Sequence, residues 1–248
     1  KLTANAFLAQ RISSINSIAS ICERTGAEVN EVVKAIGTDN RIGRKFLSPG
    51  PGFGGSCFKK DILNLVYLCE YYGLKEVGEY WNGVLKINHW QQKRISSLIV
   101  EKLNGTVTDK KIAILGFAFK ADTNDTRESP AIDICLNLLE EGAKLAIHDP
   151  KVNKNQIEKE FTEREFYDSN QWTSNSSIDS VIKDSHAVIV LTEWIFYKNI
   201  SWSKFEKTMQ KPSWIFDTRN ILDSDKIKET KINFWKIGNS LNSSKSMI

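Results

Sequence analysis

Cys57 follows directly on Ser48-Pro49-Gly50-Pro51-Gly52-Phe53-Gly54-Gly55-Ser56, and Asp61 stands four residues after it. A loop so rich in Gly and Pro excludes regular structure and lets the backbone approach a bound molecule closely. Apolar residues then recur at Leu63, Val66, Tyr67 and Leu68, predicting a helix from Cys57 to about Tyr72, capped by Ser56 and stopped by Gly73. A thiol in that first turn meets free N–H groups and the positive end of the helix dipole, and Lys59 and Lys60 add positive charge, all of which favours the thiolate. Asp61, one turn on, shares its face and is placed to order a water. The set suits covalent catalysis. A Cys-x-x-x-Asp alone equally describes a small buried side chain beside a surface carboxylate. Cys22, Cys69 and Cys135, set among apolar residues, take only that plainer reading.

Gly50, Gly52 and Gly55 also satisfy the G-x-G-x-x-G pattern. That fingerprint binds a dinucleotide only where a buried strand feeds the first glycine and a helix opens at the last. Here Arg44-Lys45-Phe46-Leu47-Ser48-Pro49 precedes it and Pro51 interrupts it. A substrate-covering loop that leads to a nucleophile fits better.

The surrounding pattern supplies the scaffold. Residues 2–22 carry a helical stripe from Leu2 and Ala6 to Ile18 and Cys22, with Gly26 at its stop. A short helix through Val29, Val32, Val33 and Ile36 ends at Gly37, and a long one runs through Val77, Trp81, Val84, Ile95 and Ile99. From Lys110 the pattern changes to short β-rich runs, Ile112–Phe119, Leu145–His148, Ala187–Leu191 and Trp214–Phe216, separated by helical stretches such as Ile132–Leu139. The expectation is an α/β chain: an all-helical domain over residues 1–105, then a Rossmann-like domain over residues 106–248 with a mostly parallel sheet. Residues 151–180 read as an irregular surface insertion, and the polar tail from Asn239 as disordered.

Composition sets the outer limits. The chain has 248 residues, 41% hydrophobic and 26% charged, with 34 basic and 30 acidic side chains giving a net charge of +4. Charge so mixed does not point to nucleic acid, and no apolar run reaches the length of a membrane helix. Four cysteines without CxxC spacing suit reduced thiols and the cytoplasm. Lys1 opens inside a helical pattern with neither Met nor cap, so further sequence is expected upstream.

Three strings together resemble the UDP-glucose/GDP-mannose dehydrogenase family: Gly52 to Asp61, Lys1-Leu2-Thr3-Ala4-Asn5-Ala6-Phe7, and Phe117 to Pro130 with its Lys120-Ala121-Asp122-Thr123-Asn124-Asp125-Thr126-Arg127-Glu128. The resemblance runs in order from Lys1 to about Gly238. It implies oxidation of an alcohol to a carboxylate with two NAD molecules and a cysteine-bound intermediate, UDP-glucose going to UDP-glucuronate. By resemblance Cys57 is the nucleophile, Asp61 orients or activates water, and Lys1 and Asn5 stabilise the oxyanion. The loop Ser48, Pro49, Gly50, Pro51, Gly52, Phe53 and Gly54 wraps the sugar nucleotide. Phe119, Lys120 and Arg219, at strand ends, contact UDP, and Arg41 reaches the sugar of a neighbouring subunit, implying a homodimer or an oligomer built from dimers. Cys57, Phe58, Lys60 and Arg127 face NAD, whose main binding domain is expected outside this chain; no metal is implied. Thr218 stands where the family usually has Gly. Asp149 mimics a ribose-binding acid, although a turn before Pro150 explains it as well.

Other readings stay open from the residues. GDP-mannose and UDP-N-acetylhexosamine dehydrogenases share the Cys and Asp, and a noncatalytic nucleotide-sugar-binding module needs only the loop and strand ends. A cysteine hydrolase needs a histidine to activate the thiol, and the chain offers His89, His148 and His186.

Overall fold

The computed structural model describes residues 1–240; the greater part of the polar tail lies outside them. The chain begins with four helices. α1 (Leu2–Thr25) buries Ala6, Ala9, Ile15, Ala19 and Cys22 and ends where Gly26 takes φ 85°, its N–H returning to the Cys22 carbonyl. α2 (Val29–Ile36), α3 (Phe58–Tyr71) and α4 (Lys75–Lys102) follow. Ala6, Ala9, Phe53, Ile62, Trp81 and Val84 form the core among α1, α3 and α4.

The second half is a six-stranded sheet, all parallel, in the order β3-β2-β1-β4-β5-β6. Its strands are β1 (Lys111–Leu115), β2 (Lys144–His148), β3 (Trp172–Ser174), β4 (Ala187–Val190), β5 (Trp214–Asp217) and β6 (Asn233–Lys236). The helices between them are α5 (Pro130–Glu140), α6 (Lys154–Thr162), α7 (Ile178–Ile182) and α8 (Ser224–Lys228). β1, β2, β4 and β5 are buried on both faces, which is why they read as runs of Ile, Val and Ala without polar alternation. One face packs under α5, and the other under α7 and the turns carrying Trp194, Tyr197 and Trp202.

The two halves share a core. Ile95, Leu98, Ile99 and Leu103, from the last turns of α4, belong to the same buried cluster as Ile112, Ile114, Leu138 and Phe216 of the α/β half. Each such side chain contributes about 1.5–3 kcal/mol by leaving water. Glu23 of α1 adds a polar tie: its carboxylate accepts from Arg94 of α4 at 2.6 Å and from the Gly238 N–H, just beyond β6, at 2.9 Å.

Three expectations need correction, and one strand was not expected at all. Residues 151–180 are not an irregular insertion: they hold α6, edge strand β3 and the start of α7, and bury Ile157, Phe161 and Trp172. The buried positions there are too widely spaced among polar residues to show a period. β6 also escaped notice, because a four-residue edge strand carries little pattern. The first strand stops at Leu115, where Gly116 turns with φ 96°, so Phe119 and Lys120 lie on the loop beyond it. Ser56 does not cap α3: Cys57 itself occupies the cap position and no side chain bonds the helix N-terminus.

His148 and His186 yield a pH prediction. Burial pushes both imidazoles below their ordinary value of 6.5, so the folded state disfavours their charged forms. Their contribution is complete above pH 6.5 and is lost as pH falls toward the depressed values. Asp133 and Asp217, pushed upward by burial, act with the opposite sign, so the informative quantity is a difference. In urea melts the stability gap between the parent and H148N/H186N is expected to narrow as pH falls from 7.5 to 5.

Candidate active site

The loop before Cys57 is mostly buried yet irregular, so its backbone groups must find partners away from water. Three amide side chains on helices supply them. Asn16 of α1 accepts from the Gly50 N–H at 2.8 Å, and Gln91 of α4 donates to the Gly50 carbonyl at 2.8 Å. Asn88, one turn before Gln91, accepts from the Phe53 N–H at 2.8 Å and donates to the Phe53 carbonyl at 3.2 Å. Gly52 is required here, because φ is 130° and a Cβ would meet Asn88 Oδ1 at 2.8 Å. None of these amides was singled out from sequence. Their signal was a polar side chain on the buried stripe that Val84, Asn88, Gln91 and Ile95 share.

Cys57 is exposed and its Sγ lies 3.8 Å from the Ser56 hydroxyl. Its carbonyl accepts the first helical hydrogen bond, from the Asp61 N–H at 2.9 Å. Asn5 of α1 donates through Nδ2 to Asp61 Oδ2 at 2.6 Å, so the fold joins two site candidates 56 residues apart. Phe58 packs edge to face on Phe53, with ring centroids 5.8 Å apart. Lys1 is exposed at the start of α1, one turn before Asn5.

The α/β half meets this segment at its strand ends. The Gly55 N–H donates to the Arg127 carbonyl at 2.9 Å, and Lys59 bridges to Glu128 at 2.8 Å. A Cβ on Gly54 would stand 2.3 Å from the Glu128 carbonyl oxygen, and one on Gly55 would stand 3.2 Å from the Phe119 ring. Arg219, beyond β5, donates to the Leu191 carbonyl at 2.7 Å and to the Phe119 carbonyl at 3.1 Å, and pairs with Glu193 at 3.2 Å. Burial lowers its basicity, and Glu193 and Asp217 offset part of that. Thr218, the departure from the family pattern, is buried and donates to the Val190 carbonyl at 2.6 Å.

Ser48, Gly50, Gly52 and Arg219, with Ile12 and Phe46, line a cavity of about 280 Å³. Lys120 is exposed, its ammonium 5.4 Å from the centre of the Phe119 ring. Pro49 and Pro51 are buried supports of the loop. Arg41 stands apart from this group, its guanidinium held by Asp39 at 2.6 Å on an exposed loop. Arg11 pins that loop through the carbonyls of Ile42, Gly43 and Lys45. Arg127 is exposed and clamped by Asp125, and Lys60 is exposed in the first turn of α3. Asp149 is no free ribose ligand, since its carboxylate accepts from the N–H groups of Phe117, Ala118, Lys151 and Val152 and from the Trp194 indole.

None of the described histidines is placed beside Cys57 by a hydrogen bond, and His148 is engaged with the Tyr197 hydroxyl at 2.8 Å. Among the described residues no cluster could hold a metal ion, and no helix is long and apolar enough to cross a membrane.

A doubly wound parallel sheet, with its strand ends closed against a glycine loop and an exposed thiol on a helical half, defines a Rossmann-like α/β domain joined to a helical one. The chain belongs to the UDP-glucose/GDP-mannose dehydrogenase family: residues 1–90 match the model of its central domain and residues 113–224 that of its UDP binding domain. It is 50% identical over 97% of its length to UDP-glucose 6-dehydrogenase 1 of Glycine max, covering 53% of that protein. Against UDP-glucose 6-dehydrogenase of Caenorhabditis elegans it is also 50% identical over 97% of its length, covering 50% of it. A solved UDP-glucose dehydrogenase from Pyrobaculum islandicum superposes with a TM-score of 0.75 at 30% identity, over 95% of this chain and 49% of that one. The chain thus spans about half the length of the curated relatives it matches.

The four thiols are expected to separate cleanly in reactivity. Cys22, Cys69 and Cys135 are buried, and burial raises the Cys22 and Cys135 thiols above their ordinary range. Slow alkylation with iodoacetamide followed by peptide mapping should label Cys57 first, by at least about tenfold. Earlier labelling of any buried thiol would remove Cys57 from its proposed role.

Proposed function

We propose that these residues form the sugar-nucleotide-binding, thiol-bearing part of a UDP-glucose 6-dehydrogenase. In this reading residues 1–105 carry the nucleophile and residues 106–248 hold the UDP. The observation that carries the reading is the meeting of the two halves at Gly50–Gly55, where Phe119 and Arg219 lie against the loop that leads to Cys57. A nucleotide at the strand ends and a reactive carbon at the sulfur are then the two ends of one ligand.

Phe119 offers a ring face and Lys120 and Arg219 positive charge to the UDP, while Ser48 to Gly54 close over the sugar. Cys57 carries the reacting carbon covalently, first as a thiohemiacetal and then as a thioester. Asp61, fixed by Asn5, accepts a proton from the water that releases UDP-glucuronate. Lys1 and the second N–H of Asn5 donate to the oxygen that gains negative charge on the same carbon. Lys60, three residues after Cys57, and Arg127, whose carbonyl accepts from the Gly55 N–H, are both exposed, and with Phe58 they fit NAD, whose diphosphate they would pair. When bound, NAD supplies the hydride acceptor for both oxidations. Four thiols without disulfides suit the cytoplasm.

A homodimer follows from Arg41, which points to the site of a neighbouring copy in this reading, and from apolar residues that α1 leaves outside its own core. Phe7 and Ile21 are 56% and 55% exposed. Sedimentation at micromolar concentration is expected to show a dimer; a monomer at all concentrations argues against the Arg41 role.

The decisive test separates binding from turnover. A polypeptide of these residues should bind UDP-glucose in a calorimetric titration, more tightly than GDP-mannose. It should show no rise in NADH absorbance with UDP-glucose and NAD, because G-x-G-x-x-G at Gly50–Gly55 is pinned between helices rather than set between a strand and a helix. Without a positioned nicotinamide about 7–11 kcal/mol of barrier lowering is lost. Turnover would reveal a cofactor site within these residues, and absence of UDP-glucose binding at millimolar concentration would overturn the assignment.

A further inference from the structure

Glu128 takes φ 53°, a left-handed conformation that a side chain with a Cβ adopts only at a cost. The turn around it is tightly fixed. Arg127 N–H and guanidinium both donate to Asp125, and Thr126 donates to buried Glu160. Ser129 N–H returns to the Thr126 carbonyl, while its hydroxyl donates to the Phe117 carbonyl at 2.7 Å. Glycine at position 128 would relieve the backbone at once, so the carboxylate is what the strain retains. That carboxylate has one ion-pair partner among the described residues, Lys59, two residues beyond Cys57.

The same turn touches the Cys57 segment twice more, through the Arg127 carbonyl on the Gly55 N–H and through the Glu128 carbonyl against Gly54. Charged groups on and facing this segment are Lys59, Lys60 and Asp61 on its own helix, Asp125, Arg127 and Glu128 on the facing turn, Asp133 of α5, which interacts with Lys59, Glu128 and His89 of α4, and Lys1 one turn ahead of Asn5. Of these, Arg127 interacts electrostatically with Cys57. Asp125 holds Arg127 and Asn5 holds Asp61. Lys59 makes its ion pair with Glu128, and Asp133 of α5 adds a second, longer-range negative charge to the pair.

We propose that Glu128 is a positioning residue for Cys57: from the nucleotide half it holds and neutralises Lys59, fixing both the place and the reactivity of the thiol at the start of α3. Its bearing on catalysis rests on the dehydrogenase reading above, but the contact and its effect on the thiol do not. Freed from Glu128, the Lys59 ammonium favours the thiolate; without Lys59, the Glu128 carboxylate opposes it.

The test is the pH dependence of iodoacetamide alkylation, read by mass spectrometry on the Cys57 peptide itself, in the parent, E128Q, E128G, K59M and the double variant K59M/E128Q. E128Q and E128G are expected to raise the rate at pH 7 about threefold and move its midpoint to lower pH, the effect of roughly half a pH unit. K59M should lower the rate about threefold and move the midpoint up, and the double variant should return to within about a factor of two of the parent. The opposed shifts should shrink in 1 M salt. A purely structural role moves both single variants the same way, and that result, or no shift in either, overturns the proposal. E128G loses strain together with the carboxylate, so it should melt no lower than E128Q; a lower melting point overturns the strain argument. UDP-glucose titration of the same variants reports separately on the dehydrogenase reading, which fails if binding is absent in the parent whatever the thiol does.

Discussion

A buried loop that is neither helix nor strand has no ladder to satisfy its N–H and C=O groups, and each one left unpaired costs about 1–3 kcal/mol. Residues 49–53 meet that constraint with Asn16, Asn88 and Gln91, all buried. The solution dictates much else. Asn16 sits on α1, and Asn88 and Gln91 sit on α4, so those helices must run side by side at the level of the loop. With the loop fixed between them, Cys57 emerges at a defined point, and α3 starts where its first turn can place Asp61 against Asn5.

The amides fix only the helical side of the loop. Its other side is held because α4 does not stop at the helical half but continues until Ile95, Ile99 and Leu103 enter the core beneath the sheet. Rigid continuation of one helix through both cores removes a hinge that a flexible linker would introduce. The Glu23–Arg94 pair, with the Gly238 N–H on the same carboxylate, closes the arrangement from the far edge of the sheet. Such a pair contributes more to a single relative placement than to net stability, since desolvation offsets most of its attraction. The strand-end loops are held in turn by Asp149, whose five donors come from the β1 loop, the β2 exit and Trp194. An acid at the end of the second strand, which in dinucleotide folds meets a ribose, here serves the loop itself.

Several features were legible in the residues alone. Helix ends at Gly26 and Gly37, the switch from helical to β-rich runs near Lys110, and the family strings around Cys57 and Phe117 are local, so short-range propensity and spacing suffice to read them. Rejection of G-x-G-x-x-G as a dinucleotide fingerprint was also a local argument, and the loop lies between helices. Less legible were β3, β6 and α6, whose few buried residues are diluted by polar neighbours and acquire their states from pairing with strands already in place.

What the sequence by itself determined is therefore the inventory: which residues are chemically able, which segments are helical, and that the second half is a parallel sheet. The tertiary structure decided which of those residues meet. Asn5 and Asp61, Gly55 and Arg127, Lys59 and Glu128, and Phe119 and Arg219 lie far apart in the chain and are joined by hydrogen bonds or ion pairs. Arg41 and Lys1, by contrast, were named with equal ease and stand on the surface. The physical reason is that side-chain periodicity extends only over a helix or a strand, whereas a site is built from loops and helix ends. Their positions depend on buried amides and one continuous helix, and these become visible only once the chain has closed on itself.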